Sequence, residues 1–295
     1  MNGYFNVLKP PGMTSSQVVG AVRRLIGGEK AGHAGTLDPE AAGVLPVMAG
    51  KAARLFDYLV DKQKAYVAEI AFGAATDTQD AQGHVIARGE NFPSIEDVQG
   101  VLPRLLGEIL QIPPSFSALK QDGRRLYELA RKGEMVLADP RPILVEDITI
   151  IRETENHGMI LSIHCGRGTY VRTICHDIGK AVGCPAHMRF LLRTQSGAFT
   201  IHTAHTLEEL QSAVAQGHLA DFMLPMDMPL SHIPRGDVPK ELEKICQNGG
   251  RLPLSAFEGQ VDLQERSFLR LYVKDAFMGI ARRQGDILAF QTMVG

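Results

Sequence analysis

Short apolar runs, broken by glycine and proline, are the feature that most limits how this chain can fold. No run approaches the roughly 18 residues that a membrane-spanning helix needs. Residues 65–72 place apolar side chains at every second position, which predicts a strand. Residues 18–26 instead repeat apolar side chains at helical spacing, after Thr14 and Gln17 in the pattern of a capping box. The chain therefore reads as an α+β protein.

The remaining segments extend this alternation along the chain. Strands are predicted at 5–9, 143–151 and 159–165, and helices at 95–110 and from Val171 to Val182. Residues 31–50 read as a glycine-rich loop, and residues 76–84 as a polar turn. From about residue 232, short apolar runs separated by turn signals predict a compact all-β unit.

The length of 295 residues fits one large domain or two unequal ones. The segment 224–229 has the composition of a linker, so we predict a larger domain at 1–230 and a smaller one at 231–295. Within the first, residues of about 112–142 form a basic segment with proline-rich ends, which we interpret as an inserted excursion. The alternative is a solvated surface helix, because a run of charged residues usually lies on a solvent-exposed face.

Composition excludes some classes of function. The net charge of −2 argues against a protein that binds nucleic acid indiscriminately, although a local basic groove remains compatible with it. The four cysteines form no C-x-x-C pair and match no zinc motif, so we expect reduced, buried thiols and no metal. The start of the chain lacks the basic and apolar regions of a secretory signal, which leads us to expect a cytoplasmic protein.

Three segments carry side chains suited to chemistry. The loop 32–46 presents Asp38 before a proline, out of helical geometry, although Asp-Pro can also be an ordinary turn. The segment 166–173 is a strand-to-helix turn that lacks the G-K-[ST] of a P-loop, and its Arg172 can either pair with a carboxylate or remain solvated. Tyr66, next to Lys64 at the start of a strand, can be a core residue or stack on a base.

Together these segments resemble the TruB family of tRNA pseudouridine synthases. The sequence GHAGTLDPEAAGVLP at 32–46 resembles the catalytic loop of that family, KAY its second motif and GRGTYVRT its third. Further similar motifs are KPPGMTS near the N-terminus, PPSFSALK at the start of a thumb insertion and LLRT at 191–194. They occur in the family's order across residues 4–230, and the tail resembles a PUA domain more weakly.

The resemblance implies a fold and a reaction. It implies a catalytic domain with a mixed, mainly antiparallel sheet flanked by helices and loops, followed by a small all-β PUA-like domain. The reaction would isomerise a uridine in the T-arm of tRNA, at position 55, to pseudouridine without a cofactor. The enzyme would be a monomer that binds tRNA, with no membrane or protein partner.

The resemblance also implies roles for individual residues. Asp38 would be the catalytic residue, with Tyr66 and Arg172 in support. The residues expected to bind substrate are His33, Lys9, Tyr170, Leu191, Lys64, Lys120 and Arg124.

Breaking the C–N bond, rotating the base and forming a C–C bond needs no water, so one carboxylate can suffice where glycoside hydrolases need two. Asp38 can attack the sugar or the base, or abstract a ribose proton. Three alternative functions are a non-catalytic RNA chaperone of the same fold, a guide-RNA-dependent synthase, and a synthase acting on another RNA. Intact Asp38, Tyr66 and Arg172 argue against the chaperone as the sole role.

Overall fold

The computed structural model describes residues 1–59, 63–114, 116, 120–121, 124–125, 138–257 and 259–295, and only the backbone at 120–121 and 124–125. The strands, in chain order, are β1 Gly3–Lys9, β2 Ala31–His33, β3 Ala42–Ala49, β4 Lys64–Phe72, β5 Ala74–Thr76, β6 Val85–Arg88, β7 Gly107–Gln111, β8 Lys120–Gln121, β9 Arg124–Arg125, β10 Arg141–Thr154, β11 Gly158–Cys165, β12 Ala186–Ser196, β13 Phe199–Thr200, β14 Arg235–Asp237, β15 Leu252–Pro253, β16 Phe268–Val273, β17 Ala276–Gln284 and β18 Ile287–Met293. The α-helices are α1 Ser15–Leu25, α2 Ile95–Val101, α3 Val171–Ala181, α4 Leu207–Ala215 and α5 Glu243–Gln247. Short 3-10 helices occupy Gly50–Tyr58, Leu102–Leu105, Ile201–Thr203, Leu219–Phe222, Met228–Leu230, Lys240–Leu242 and Leu254–Phe257.

A nine-stranded sheet forms the body of the protein, in the order β1-β3-β12-β4-β11-β10-β7 with β2 and β13 attached at its side. Only the pairing of β3 with β12 is parallel in this sheet. This confirms the predicted α+β architecture with a mixed, mainly antiparallel sheet. Alternate residues of β4 (Tyr66, Ala68, Ile70) are buried in the main core, on the face that the sequence pattern predicted.

Two predictions about the first half of the chain are wrong in detail. The predicted loop 31–50 contains β2 and β3, and β3 is buried along nearly its whole length. Because β3 is buried on both faces it shows no alternation, and its Gly43 and Pro46 resemble loop residues. The predicted helix 95–110 stops at Val101, continues as a 3-10 turn that contains Pro103, and is followed by β7, which begins at Gly107 with a φ of +81°.

The helix predictions at 15–26 and 171–182 are confirmed. At the start of α1 the Thr14 hydroxyl accepts from the Gln17 backbone N–H, and the Gln17 side chain accepts from the Thr14 backbone N–H. This reciprocal bonding satisfies two backbone donors that a helix otherwise leaves open. In the part of the chain that the structure describes, no helix is long and apolar enough to cross a bilayer.

A second sheet of five strands, in the order β14-β16-β17-β18-β15, forms the C-terminal unit and confirms the predicted all-β tail. It has its own core around Leu252, Phe257 and Leu271. A further cluster joins this sheet to the large one, with Tyr4, Val44 and Phe199 packing against residues that include Ile233, Ile280 and Val294. The two sheets therefore share buried apolar surface.

This shared cluster gives a stability prediction. Ile280 is fully buried, so Ile280→Ala is expected to lower the free energy of unfolding by about 2–5 kcal/mol. Urea unfolding followed by circular dichroism measures the change, with the exposed Ile245→Ala as the matched control, which should move it by less than about 0.5 kcal/mol. If the C-terminal unit unfolded independently of the large sheet, two unfolding transitions would be seen. Ile280→Ala would then shift only the transition of the C-terminal unit.

Candidate active site

Asp38 lies in the turn between β2 and β3, and both of its neighbours are anchored. The Leu37 backbone exchanges two hydrogen bonds with the Ser15 hydroxyl of α1, at 2.9 and 3.0 Å. The Pro39 carbonyl accepts from the Gly12 backbone N–H at 3.0 Å and from the Lys9 ammonium at 2.7 Å. The Asp38 side chain between them is 41% exposed. The sequence thus presents one accessible carboxylate from a backbone held on both sides.

Arg172, in the first turn of α3, lies beside Asp38. Its Nη2 lies 3.9 Å from the Asp38 Oδ2, and the same nitrogen donates to the Phe116 carbonyl at 2.8 Å. The guanidinium is almost completely buried, and its Nε has no partner among the described residues. Arg172 therefore places a buried cation beside an exposed carboxylate.

A second carboxylate, Asp80, holds Arg172 from the other side. Its Oδ2 lies 3.5 Å from the Arg172 Nη1, while its Oδ1 accepts from the Thr78 hydroxyl and the Gln82 backbone N–H at 2.7 and 3.0 Å. Sequence analysis read this segment only as a polar turn and missed Asp80. Nothing in the local pattern marks one of the turn's two aspartates, and its partner is 92 residues away along the chain.

Tyr66 and Leu191 lie on neighbouring strands of the face that carries the site. Tyr66 on β4 is 5% exposed, and burial raises the pKa of its hydroxyl to about 12, with Arg193 opposing that shift by charge and hydrogen bonding. Leu191 on β12 is buried opposite Ala68. The charge of Asp38 also reaches Tyr66. The structure therefore brings the predicted Asp38, Tyr66 and Arg172 into one region.

Arg193 was missed as an individual residue, although the segment 191–194 had been singled out. Its side chain is fully buried, and its Nε, Nη1 and Nη2 donate to the carbonyls of Val44, Thr36 and Gly35. The same strand also carries Arg189 and several polar residues, so its sequence contains no local signal that marks Arg193 for burial.

Lys9 and His33 lie beside the Asp38 turn. The Lys9 side chain is enclosed, and its ammonium donates to the carbonyls of Pro10, Met13 and Pro39. Burial lowers the pKa of Lys9 to about 8. Because all three hydrogen bonds use the ammonium group, direct contact of Lys9 with RNA would require them to break. His33 on β2 is half-buried, and burial together with the charge of Arg193 lowers the pKa of its ring, which favours the neutral form.

The other predicted substrate contacts are more peripheral. Tyr170 is half-buried at the start of α3, and its backbone N–H and carbonyl bond the two ends of the Gln111 side-chain amide at 2.9 and 3.1 Å. Lys64 opens β4, paired with Cys165. For Lys120 and Arg124 the structure gives only the backbone of β8 and β9, so these side chains and most of the predicted insertion fall outside the described residues.

Comparison with known proteins identifies the family. Residues 23–171 match the TruB family pseudouridylate synthase N-terminal domain, and residues 172–231 match the tRNA pseudouridylate synthase B C-terminal domain. A tRNA pseudouridine synthase B from Caldanaerobacter subterraneus subsp. tengcongensis is 46% identical over 97% of this chain and 96% of that protein. Another, from Pelotomaculum thermopropionicum, is 42% identical over 95% of this chain and 91% of its own length.

Solved structures give the same fold. A chain of a Cbf5–Nop10–Gar1 complex superposes with a TM-score of 0.75 at 26% identity, covering 99% of this chain and 84% of that one. A chain of an H/ACA RNP bound to a substrate RNA has a TM-score of 0.74 at 24% identity, over the same shares. These similarities extend across both sheets of the protein.

Proposed function

Because this chain belongs to the TruB family of tRNA pseudouridine synthases and isomerises uridine in tRNA to pseudouridine, we propose that its target is uridine 55 of the T-arm and that Asp38 is its catalytic residue. The observation that supports Asp38 is its combination of exposure and charge environment. An anchored turn presents the carboxylate, and a buried arginine, itself held by Asp80, faces it. The cytoplasm, where mature tRNA is found, is the compartment this role implies.

The chemistry needs an ionised carboxylate in a place from which the RNA will exclude water. Closing a site over a carboxylate raises its pKa unless a cation offsets the loss of solvation. Arg172 supplies that cation from a position that is already desolvated, so RNA binding need not strip its water again. A single ionised carboxylate can attack the sugar, attack the base, or remove a ribose proton, so this argument holds for each of the three routes.

The target base must leave its stack to reach Asp38, because a base inside a helical stack is inaccessible. We propose that Tyr66 stacks on the extruded uracil, that Leu191 forms the wall of its binding site, and that His33 fills the vacated space in the RNA. A neutral ring suits such stacking, and the lowered pKa of His33 keeps it neutral at physiological pH. Lys64, Tyr170, Lys120 and Arg124 are proposed to contact the RNA around this base.

Lys9 takes a different part in this proposal. Its ammonium ties the Pro39 carbonyl to the N-terminal turn, so it would support substrate binding by fixing the Asp38 turn.

The C-terminal sheet is proposed to be a PUA-like domain that adds RNA contacts. The enclosed ammonium of Lys9 and the buried junction with the C-terminal sheet both point to a preformed site.

The T-arm assignment is tested with short RNAs. We expect an isolated T-arm stem-loop labelled with tritium at C5 of the target uridine to release tritium at a rate within about tenfold of whole tRNA at saturation. An anticodon stem-loop of equal length serves as the matched control and should release none. Turnover of whole tRNA with modification mapped outside the T-loop would contradict this assignment while leaving the reaction itself intact.

A further inference from the structure

Arg193 is a fully buried arginine whose three guanidinium nitrogens all donate to backbone carbonyls. We propose that Arg193 is a positioning residue for the isomerisation: it closes the Asp38 loop at both ends from a strand position directly opposite Tyr66. This inference rests on the proposed role of Asp38. It differs from the role of Arg172, which faces the carboxylate directly.

The first step concerns charge. Arg193 is among the largest fully buried side chains, and within the described ranges no carboxylate lies within 4 Å of its guanidinium. Burying an unpaired cation is costly unless its donors are satisfied, and an apolar side chain of similar volume would be easier to bury there. A fold that keeps a guanidinium at this position therefore uses its hydrogen bonds for something that packing alone does not supply.

The second step concerns where those bonds go. Nη2 and Nη1 donate to the carbonyls of Gly35 and Thr36, at 3.3 and 3.2 Å, just before Asp38. Nε donates to the Val44 carbonyl at 2.7 Å, just after the loop has entered β3. One planar group thus joins the two ends of the loop that presents the carboxylate. A lysine cannot reproduce this arrangement, because its donors radiate from a single nitrogen.

The third step concerns the two strands beside β12. Arg193 is paired with Gly43 of β3 on one side and with Tyr66 of β4 on the other. Gly43 has a φ of +116°, and a methyl group there would lie 2.2 Å from the Arg193 carbonyl oxygen, so the backbones approach as closely as glycine permits. The Arg193 backbone is therefore fixed relative to the end of the loop and to the strand that carries Tyr66.

The consequence for catalysis is geometric. A displacement of about 1 Å in a reacting group can cost roughly 100-fold in rate without affecting the contacts that hold the rest of the substrate. Loss of the Arg193 bonds frees the carbonyls of Gly35, Thr36 and Val44, but removes no exposed surface that could contact RNA phosphates, because Arg193 is fully buried. The defect should therefore appear in the chemical step and not in tRNA affinity.

The test compares Arg193→Lys and Arg193→Met with Arg189→Met. Arg189 lies on the same strand, is partly exposed, and pairs with Glu69 at 2.8 Å. We expect Arg193→Lys to lower the single-turnover rate at saturating tRNA by about 10–100-fold, with Kd changed by less than about threefold. Arg193→Met should lose at least as much, and Arg189→Met should match the parent. Hydrogen exchange should become faster at the amides of residues 35–44 in Arg193→Lys.

The outcomes separate the two proposals. A parental rate for folded Arg193→Lys overturns the positioning role, as does a rate loss that only follows the unfolded fraction measured by urea titration. If Arg193→Met does not fold, Arg193→Lys decides the question. Asp38→Asn is run in the same assay: if it retains activity, the catalytic assignment fails whatever Arg193 does, and if it alone is inactive, only the Arg193 proposal fails.

Discussion

Asp38→Asn is expected to abolish pseudouridine formation while leaving the protein folded and able to bind tRNA. The amide keeps the size and much of the hydrogen-bonding shape of the carboxylate, but removes its negative charge and nearly all its nucleophilicity. The loss should be on the order of 10⁴-fold or more, the size seen when an active site loses a residue on which the chemistry depends. The measurement is single-turnover release of tritium from C5-labelled uridine in tRNA.

Binding should be nearly unchanged in this variant, because affinity for a folded RNA is spread over many phosphate and sugar contacts. Glu40→Gln is the matched control: it removes an exposed carboxylate two residues further along the same loop and should keep the parental rate within a few fold. Near-normal tritium release by Asp38→Asn would remove the basis of the catalytic proposal. Equal loss in both variants would mean that the charge of the loop, and not Asp38 itself, is what matters.

The parts of this protein that could be predicted from sequence are those whose causes are local. The capping box of Thr14 and Gln17 involves only four consecutive residues, so it can be recognised from the sequence, and α1 begins where it predicts. The alternation in β4 reflects a sheet with one face in the core, and that face is the one that carries Tyr66. The catalytic role of Asp38 was predicted from the resemblance of residues 32–46 to the TruB catalytic loop, because an Asp-Pro pair by itself can also be an ordinary turn.

The parts that could not be predicted depend on distant partners. β3 is buried along nearly its whole length, so its sequence lacks the two-residue period of a strand that has one exposed face. Asp80 acquires its role only when the turn that carries it packs against α3. Likewise, the linker-like composition at 224–229 does not reveal that the C-terminal sheet completes an apolar core shared with Tyr4 and Phe199.

The arrangement of Arg172 between two aspartates gives the second large effect. Arg172→Met is expected to lower the single-turnover rate by about 10²–10³-fold, the range for loss of one preorganised charged or hydrogen-bonding group. The variant removes the cation 3.9 Å from Asp38 and leaves Asp80 without its partner. tRNA affinity should change little, because the guanidinium is almost completely buried and can offer little surface to phosphates.

Arg167→Met is the matched control for this variant, because Arg167 is an exposed arginine in the same strand-to-helix turn. It can weaken tRNA binding, but at saturating tRNA its rate should equal that of the parent. Asp80→Asn should fall between them, at roughly tenfold below the parent, since Asp80 acts on Asp38 only by holding Arg172. The order of the three rates tests whether the network transmits position from Asp80 to the carboxylate.

The double variant Asp38→Asn with Arg172→Met tests whether the two residues act as one unit. If the only catalytic purpose of Arg172 is to set the charge and place of Asp38, the double variant should be no slower than Asp38→Asn alone, because residues that act together are strongly non-additive. A further loss of 100-fold in the double variant would mean that Arg172 stabilises the reacting base or sugar independently. In that case its Nε, which is buried and has no partner among the described residues, is the atom that would make the contact.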